Sequence, residues 1–198
     1  MKFGITGGIG SGKSFVCKRL QLRGIDVYDC DAAAKRLINT DADIRRKLTA
    51  LIGPEAYISV PNGSIVGTTP TVLNKAAVAR FLLDSESNAK AIDDIVHPAV
   101  FRDFQESGIE WMESAIMYES GIYRLVDCVI VVTAPLEVRI QRVMKRDGIT
   151  REKVLEWMQR QWPQDEVRRR ADYEIINDGQ ADIDAQIDHL FNIILSSL

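Results

Sequence analysis

The sequence predicts an α/β fold, with a five-stranded and mostly parallel sheet lying between helical layers. Three observations carry this expectation. A short apolar strand, Phe3-Gly4-Ile5, runs into Gly7-Gly8-Ile9-Gly10-Ser11-Gly12-Lys13-Ser14 and then into a helical pattern. Residues 126–132 form a nearly continuous β-branched run, as in a strand buried on both faces of a parallel sheet. Further strand-like stretches at residues 25–28, 109–117 and 173–176 are separated by helical ones.

The first element holds the clearest chemistry. Its glycine-rich segment fills every fixed position of a G-x-x-x-x-G-K-S/T phosphate-binding loop, which predicts the P-loop form of the three-layer fold. Glycines let successive backbone N–H groups turn inward around phosphate oxygens without Cβ clashes. A helix starting near Gly12 adds free N–H groups and the positive end of its dipole. Lys13 then reaches the β- and γ-phosphates, and the Ser14 hydroxyl is placed to ligate Mg²⁺. Gly8, Ile9, Gly10, Ser11, Gly12, Lys13, Ser14 and Phe15 are therefore the expected nucleotide-binding set.

Phe15, Val16 and Leu20 continue at helical spacing, and Gly24 is a suitable stop. The second strand candidate ends in Asp29-Cys30-Asp31, before a helix that opens with Ala32. In a parallel sheet, functional groups collect beyond the carboxyl ends of strands, so this acidic pair is expected on the same edge as the γ-phosphate. There one carboxylate can accept a proton from an attacking hydroxyl and another can hold magnesium through water. The bland alternative is that Asp31 only caps the next helix.

Residues 41–98 read as amphipathic helices, with Ile44, Leu48 and Leu51 on one face and Val78, Phe81 and Leu82 on another. Residues 53–70, rich in Gly, Pro, Ser, Thr and Asn, read as an irregular loop between them. About eighty residues separate the second and third strands, far more than a simple crossover needs. We expect one P-loop domain with a core at about 1–40, 108–138 and 171–198, and a helical acceptor-binding insertion at about 41–107. His97-Pro98 reads as a helix boundary. Residues 109–117 form the expected strand beside the loop, with Glu119 just past its end to orient a magnesium shell or touch the acceptor.

From about 139 to 170 the chain carries ten of its 25 basic residues. Arg142 and Arg146, four apart, share a helix face and are the favoured pair of an arginine-rich lid. Guanidinium groups grip phosphate oxygens and neutralise charge on a transferring phosphoryl group. The alternative is a solvated cationic face. Asn177, after the last strand, suits a purine edge or a backbone carbonyl. Residues 183–194 give a final amphipathic helix.

Composition excludes some classes. The net charge of −3 argues against nucleic-acid or anionic-membrane partners. Cys17, Cys30 and Cys128 are odd in number and lack C-x-x-C spacing, so they read as reduced, mostly buried thiols, neither a disulfide frame nor a zinc site. With no apolar signal region or spanning run, a cytoplasmic protein is expected.

Taken in order, these motifs resemble the dephospho-coenzyme A kinases among the P-loop small-molecule kinases. The resemblance rests on residues 5–14, Asp29-Cys30-Asp31, His97-Pro98, Arg142 with Arg146-Asp147, and Ala171-Asp172 through Asn177, and it covers nearly the whole chain. It implies transfer of the ATP γ-phosphate to the ribose 3′-hydroxyl of dephospho-CoA, the last step of coenzyme A biosynthesis, with Mg²⁺ and as a monomer or weak homo-oligomer. It further implies that Asp31 is the general base, that Lys13 and Arg142 support transfer, and that Arg142 and Arg146 are lid arginines. Thr6, Asp29, Asp31, Lys75, His97 and Glu119 fall on the acceptor side, and Gln161 stands where the family keeps a glutamine. The chain departs from the family at Phe15, at Lys75 in Leu73-Asn74-Lys75, and at Ala115-Ile116-Met117-Tyr118-Glu119. A kinase for another small acceptor, such as a nucleoside monophosphate, is the nearest rival. A GTP-binding switch is more remote, since no Asn-Lys-x-Asp segment is present.

Overall fold

A computed structural model describes residues 1–59 and 71–196, which form two compact units: Met1–Asp29 with Gly108–Leu198, and Cys30–Ser107. The first holds β1 (Phe3–Thr6), α1 (Lys13–Gln21) and β2 (Val27–Asp29). The second holds α2 (Cys30–Thr40), α3 (Ala42–Ile52), β3 (Tyr57–Ser59), β4 (Thr71–Leu73), α4 (Lys75–Asp84) and α5 (Ser87–Ser107). The chain then returns to the first unit through β5 (Trp111–Glu113), β6 (Cys128–Thr133), α6 (Leu136–Asp147), α7 (Arg151–Met158), α8 (Gln164–Arg170), β7 (Tyr173–Ile176) and α9 (Ile183–Ser196).

The five strands of the first unit form one parallel sheet in the order β2-β5-β1-β6-β7. All five carboxyl ends therefore share one edge. Alternation sorts the side chains of β1: Phe3 and Ile5 join Val16, Leu20, Ile130, Ile187 and Leu190 in the main core. Phe3 stacks on Trp111 at 4.3 Å, and Phe191 meets Trp111 edge-on at 5.9 Å. On the other face Gly4 leaves room for Met117, whose Sδ lies 2.6 Å from where a Cβ would stand. β6 is buried at all six positions, as its β-branched run requires.

Two sequence expectations in this unit need correction. The strand expected over 109–117 is only Trp111–Glu113. The apolar residues after it form a turn whose buried Met117 plugs the space above Gly4. Glu119 is thus six residues past the strand end.

In the second unit α2, α3 and α5 pack on one another, with Leu37, Ile44, Leu48, Val96, Val100 and Phe104 buried. Asp41 caps α3 by accepting from the N–H groups of Asp43 and Ile44 at 2.8 and 2.9 Å. Asn74 caps α4 and also bonds the carbonyl of Glu55 at 3.0 Å. The expected helix boundary at His97-Pro98 is overturned, because α5 runs through both residues. Burial of Val96, Ala99, Val100 and Phe104 around the proline outweighs its missing N–H donor. The irregular loop expected over 53–70 instead includes a 3-10 turn, Pro54–Ala56, and β3, which pairs antiparallel with β4. Residues 60–70 of that stretch lie outside the described residues. Leu82, expected on a buried face, is 41% exposed, and Ala77 is the buried residue of α4.

Among the described residues no helix is long and apolar enough to cross a membrane. All three cysteines are buried, and none is in a disulfide. Burial raises the Cys17 thiol pKa, and Glu113 beside it adds to the effect. Burial also pushes Cys128 up to about 12. A raised pKa leaves less thiolate, so thiol reagents near pH 8 should label the folded protein slowly. Unfolding in guanidinium should release all three for rapid labelling. Fast labelling of Cys17 or Cys128 in the folded state would contradict the packing described.

Candidate active site

The loop between β1 and α1 stands at the carboxyl edge of the sheet, beside β5 on one side and β6 on the other. Gly12 precedes α1 with φ +93°, in the left-handed region that favours glycine. No side chain caps α1 and no acidic residue occupies its first turn. The Phe15 N–H bonds back to Gly12 O at 3.0 Å, and the start of α1 turns the positive end of its dipole to the loop, which suits an anion.

The loop is held by its carbonyls. Lys13 Nζ donates to Gly7 O at 2.8 Å. Arg139 Nε donates to Ile9 O at 2.9 Å. Asn177 Nδ2 donates to Ser11 O at 2.9 Å. Arg142 Nη1 reaches Asn177 O at 2.9 Å, Ser11 O at 3.4 Å and Gly10 O at 3.5 Å. Gln161 Oε1 accepts the Ile9 N–H at 2.8 Å, and its Nε2 donates to Ala115 O at 3.1 Å. The Ile9 side chain packs on the small core of Ile140, Val143 and Val154 between α6 and α7. The tip of the loop is therefore gripped from three directions.

On the other side of α1 the parallel register aligns Ile5, Glu113 and Asp29 across three neighbouring strands. Ser14 Oγ lies 3.5 Å from Glu113 Oε1. Hydroxyl and carboxylate oxygens at this spacing fit a hard divalent cation that takes its remaining ligands from phosphates and water. Among the described residues no group of three or more His, Cys, Asp or Glu could hold a metal ion by itself.

The residues singled out from sequence divide into groups. Thr6, buried at the end of β1, the segment from Gly8 to Phe15, Asp29, Arg142 and Asn177 all belong to the carboxyl edge of the first unit. Phe15 is 45% exposed, with the Arg19 guanidinium 5.0 Å from its ring centre. Of the two roles expected for Asn177, a purine edge or a backbone carbonyl, the structure shows the second: Nδ2 donates to Ser11 O at 2.9 Å, and Oδ1 accepts from Arg142 at 3.3 Å. Arg146 pairs with Asp147 at 2.7 Å, with its side chain 65% exposed. The Glu119 carboxylate accepts the Trp162 N–H at 2.9 Å, so it fixes the segment that carries Gln161.

Asp31, Lys75 and His97 stand in the second unit. Asp31 lies within the first turn of α2, two residues after β2 ends, where the helix dipole favours a carboxylate. Lys75 is the exposed first residue of α4. His97 stacks parallel to Phe101 at 6.2 Å, with Nε2 3.6 Å from Asp93 Oδ1. Sequence reading missed Glu113, hidden by the overlong strand, and gave Arg139 no role of its own. The signal for Glu113 was an acidic residue within a largely apolar strand run, a signal it shares with Glu110.

A Cβ on Gly12 would stand 2.0 Å from Asn177 Nδ2, and the φ there is strained for any other residue. Gly12→Ala is therefore expected to displace Asn177 and weaken nucleoside triphosphate binding by ~100-fold or more. Titration calorimetry on a variant with an unaltered melting temperature measures this. Wild-type affinity would refute the packing.

The family model described as dephospho-CoA kinase matches residues 1–182. A Bacteroides fragilis protein named dephospho-CoA kinase is 37% identical over 194 residues, covering 94% of this chain and 89% of the relative. A Thermus thermophilus protein of the same name is 35% identical over 183 residues, covering 89% and 82%. A Thermus thermophilus crystal structure superposes with a TM-score of 0.77 at 32% identity, covering all of this chain and 97% of the other. Shikimate kinase from Acinetobacter baumannii shares the fold alone, with a TM-score of 0.56 at 15% identity, covering 99% of this chain and 93% of the other. This chain belongs to the dephospho-CoA kinase family.

Proposed function

We propose that this chain carries out its family's reaction by taking the γ-phosphoryl group from ATP bound in the loop at residues 7–14 and passing it to the ribose 3′-hydroxyl of dephospho-CoA. The observation that carries the donor half is the uncapped start of α1, with Lys13 and Ser14 in its first turn and the loop carbonyls turned back into the protein. Backbone N–H groups hold the phosphates. Lys13 keeps the Gly7 carbonyl and turns its ammonium to phosphate oxygens as well when the nucleotide arrives, since it carries three donors. Phosphoryl transfer depends mainly on position and charge neutralisation, which the loop and Lys13 supply.

Magnesium is the further expected cofactor. Ser14 Oγ would ligate it and Glu113 would orient its water shell, and the ion would neutralise charge between the β- and γ-phosphates. Arg142 keeps the loop in shape and its charge close to the phosphates. Arg146, exposed and paired with the neighbouring Asp147, would exchange that carboxylate for phosphate as a lid residue. Asp31 accepts the proton from the attacking hydroxyl. The second unit, residues 30–107, supplies the acceptor site through Lys75 and His97, while residues 139–170 form the lid. We further propose that the enzyme works in the cytoplasm as a monomer or weak homo-oligomer, without nucleic-acid or membrane partners.

The decisive assay supplies Mg–ATP with dephospho-CoA and, separately, with nucleosides and nucleoside monophosphates, and measures ADP. Turnover confined to another acceptor would overturn the acceptor assignment. Asp31→Asn is expected to bind ATP normally while kcat falls by ~100-fold or more, and near-normal kcat would leave Asp31 as a helix-stabilising residue only. Glu113→Gln is expected to raise the magnesium concentration needed for half-maximal rate by ~10-fold. An unchanged magnesium titration would remove Glu113 from the metal site.

A further inference from the structure

Arg139, on α6, holds the Ile9 carbonyl but has no part in the catalytic roles proposed above. Among the described residues it is the one charged side chain in the buried set, 7% exposed. Its guanidinium donates from Nε to Ile9 O at 2.9 Å and from Nη1 to Gln164 Oε1 at 3.4 Å. Both acceptors are neutral. No carboxylate among the described residues bonds or pairs with it, and burial pushes its pKa below the usual arginine value. A buried cation with neutral partners alone carries a desolvation cost that its contacts do not fully return.

The phosphate loop is moulded around this residue. A Cβ on Gly8 would stand 2.3 Å from Arg139 Nη2, and one on Gly10 would stand 2.5 Å from the Arg139 carbonyl oxygen. The two glycines let the loop backbone lie directly on the arginine. Its Nε bond fixes the Ile9 carbonyl while Gln161 fixes the Ile9 N–H, so a single peptide segment at the loop tip is clamped on both sides. The positive charge sits behind backbone whose other side is offered to anions. Inside protein such a charge is screened far less than in water.

We propose that Arg139 is the positioning residue of the phosphate loop, a buried cation whose charge is balanced only when a polyphosphate occupies the loop. The inference rests on the ATP-donor reading. It makes a prediction that a purely structural arginine does not: the charge burdens the empty protein and benefits the loaded one. Removing it relieves a desolvation cost that offsets the lost bonds to Ile9 O and Gln164 Oε1, so the empty protein should be no less stable, while affinity should fall in proportion to phosphate charge.

The test compares wild type with Arg139→Met and Arg139→Lys, without acceptor, by calorimetric titration with Mg–ATP and with AMP and by thermal melting without nucleotide. Arg139→Met is expected to melt no lower than wild type and to bind ATP ~10-fold or more weakly, the worth of a charge-assisted contact, with a much smaller change for AMP. Arg139→Lys, which keeps the charge, is expected to recover most of the ATP affinity. An Arg139→Met protein that binds ATP like wild type overturns the role. So does one that melts lower and loses ATP and AMP alike without rescue by lysine, since that pattern belongs to packing. If Arg139→Met does not fold, Arg139→Lys decides. ATP affinity close to wild type supports the role, and a ~10-fold loss at unchanged melting temperature overturns it. Wild-type protein that binds no ATP would overturn the donor reading and this role together, whereas the variant outcomes bear on Arg139 alone.

Discussion

The carbonyl groups of the phosphate loop must be satisfied from inside the protein if its N–H groups are to stay available to an anion. The rest of the first unit follows from that constraint. Gly7, Ile9, Gly10 and Ser11 each turn a carbonyl inward, and each meets a donor: Lys13, Arg139, Arg142 and Asn177. A strand-to-helix turn without these donors would leave several backbone acceptors buried without partners, at a cost of ~1–3 kcal/mol each. The donors come from α1, α6 and the end of β7, so the sheet order that brings β6 and β7 alongside β1 is a requirement of the loop. The glycines have a second purpose here. They permit unusual φ values, and they also let Asn177 and Arg139 approach the backbone within distances that no Cβ would allow.

The division of labour among the basic residues follows from the same geometry. One cluster of arginines looks uniform in sequence, yet its members lie in different environments. Arg139 is buried against the loop and Arg142 bonds loop carbonyls, whereas Arg146 faces solvent in a pair with Asp147. Arg151 and Arg160 are likewise engaged with exposed glutamates, and the exposed Arg168 pairs with the half-buried Glu174. Such exposed pairs contribute little to stability, typically under 1 kcal/mol. They keep side chains near the surface, where exchanging a carboxylate for a phosphate costs little.

Much of this was legible in sequence where one local pattern dominates. The loop motif, the β-branched run of β6 and the five strand segments all reappear in the sheet. The misreadings share one cause: tertiary packing overrode a local rule. Pro98 signals a helix end, but four buried neighbours on α5 carry the helix through it. Residues 115–117 are apolar enough for a strand, but Met117 is needed above Gly4, so the chain turns and leaves Glu113 at the true strand end. Arg139 occupies an ordinary position in an amphipathic helix pattern. Nothing in its spacing distinguishes a buried cation from a solvated one, because the difference lies in the loop backbone that covers it.

The bond from Asn177 to Ser11 spans 166 positions of the chain. The loop leaves the ribosome 166 residues ahead of the residue that closes its back. During synthesis the nascent chain therefore carries the motif without the means to hold it in shape. Competence for the nucleotide arrives in one late step, when β7 docks beside β6. A chain stopped short of that strand keeps the whole signature in its sequence and lacks the support that gives the signature its meaning.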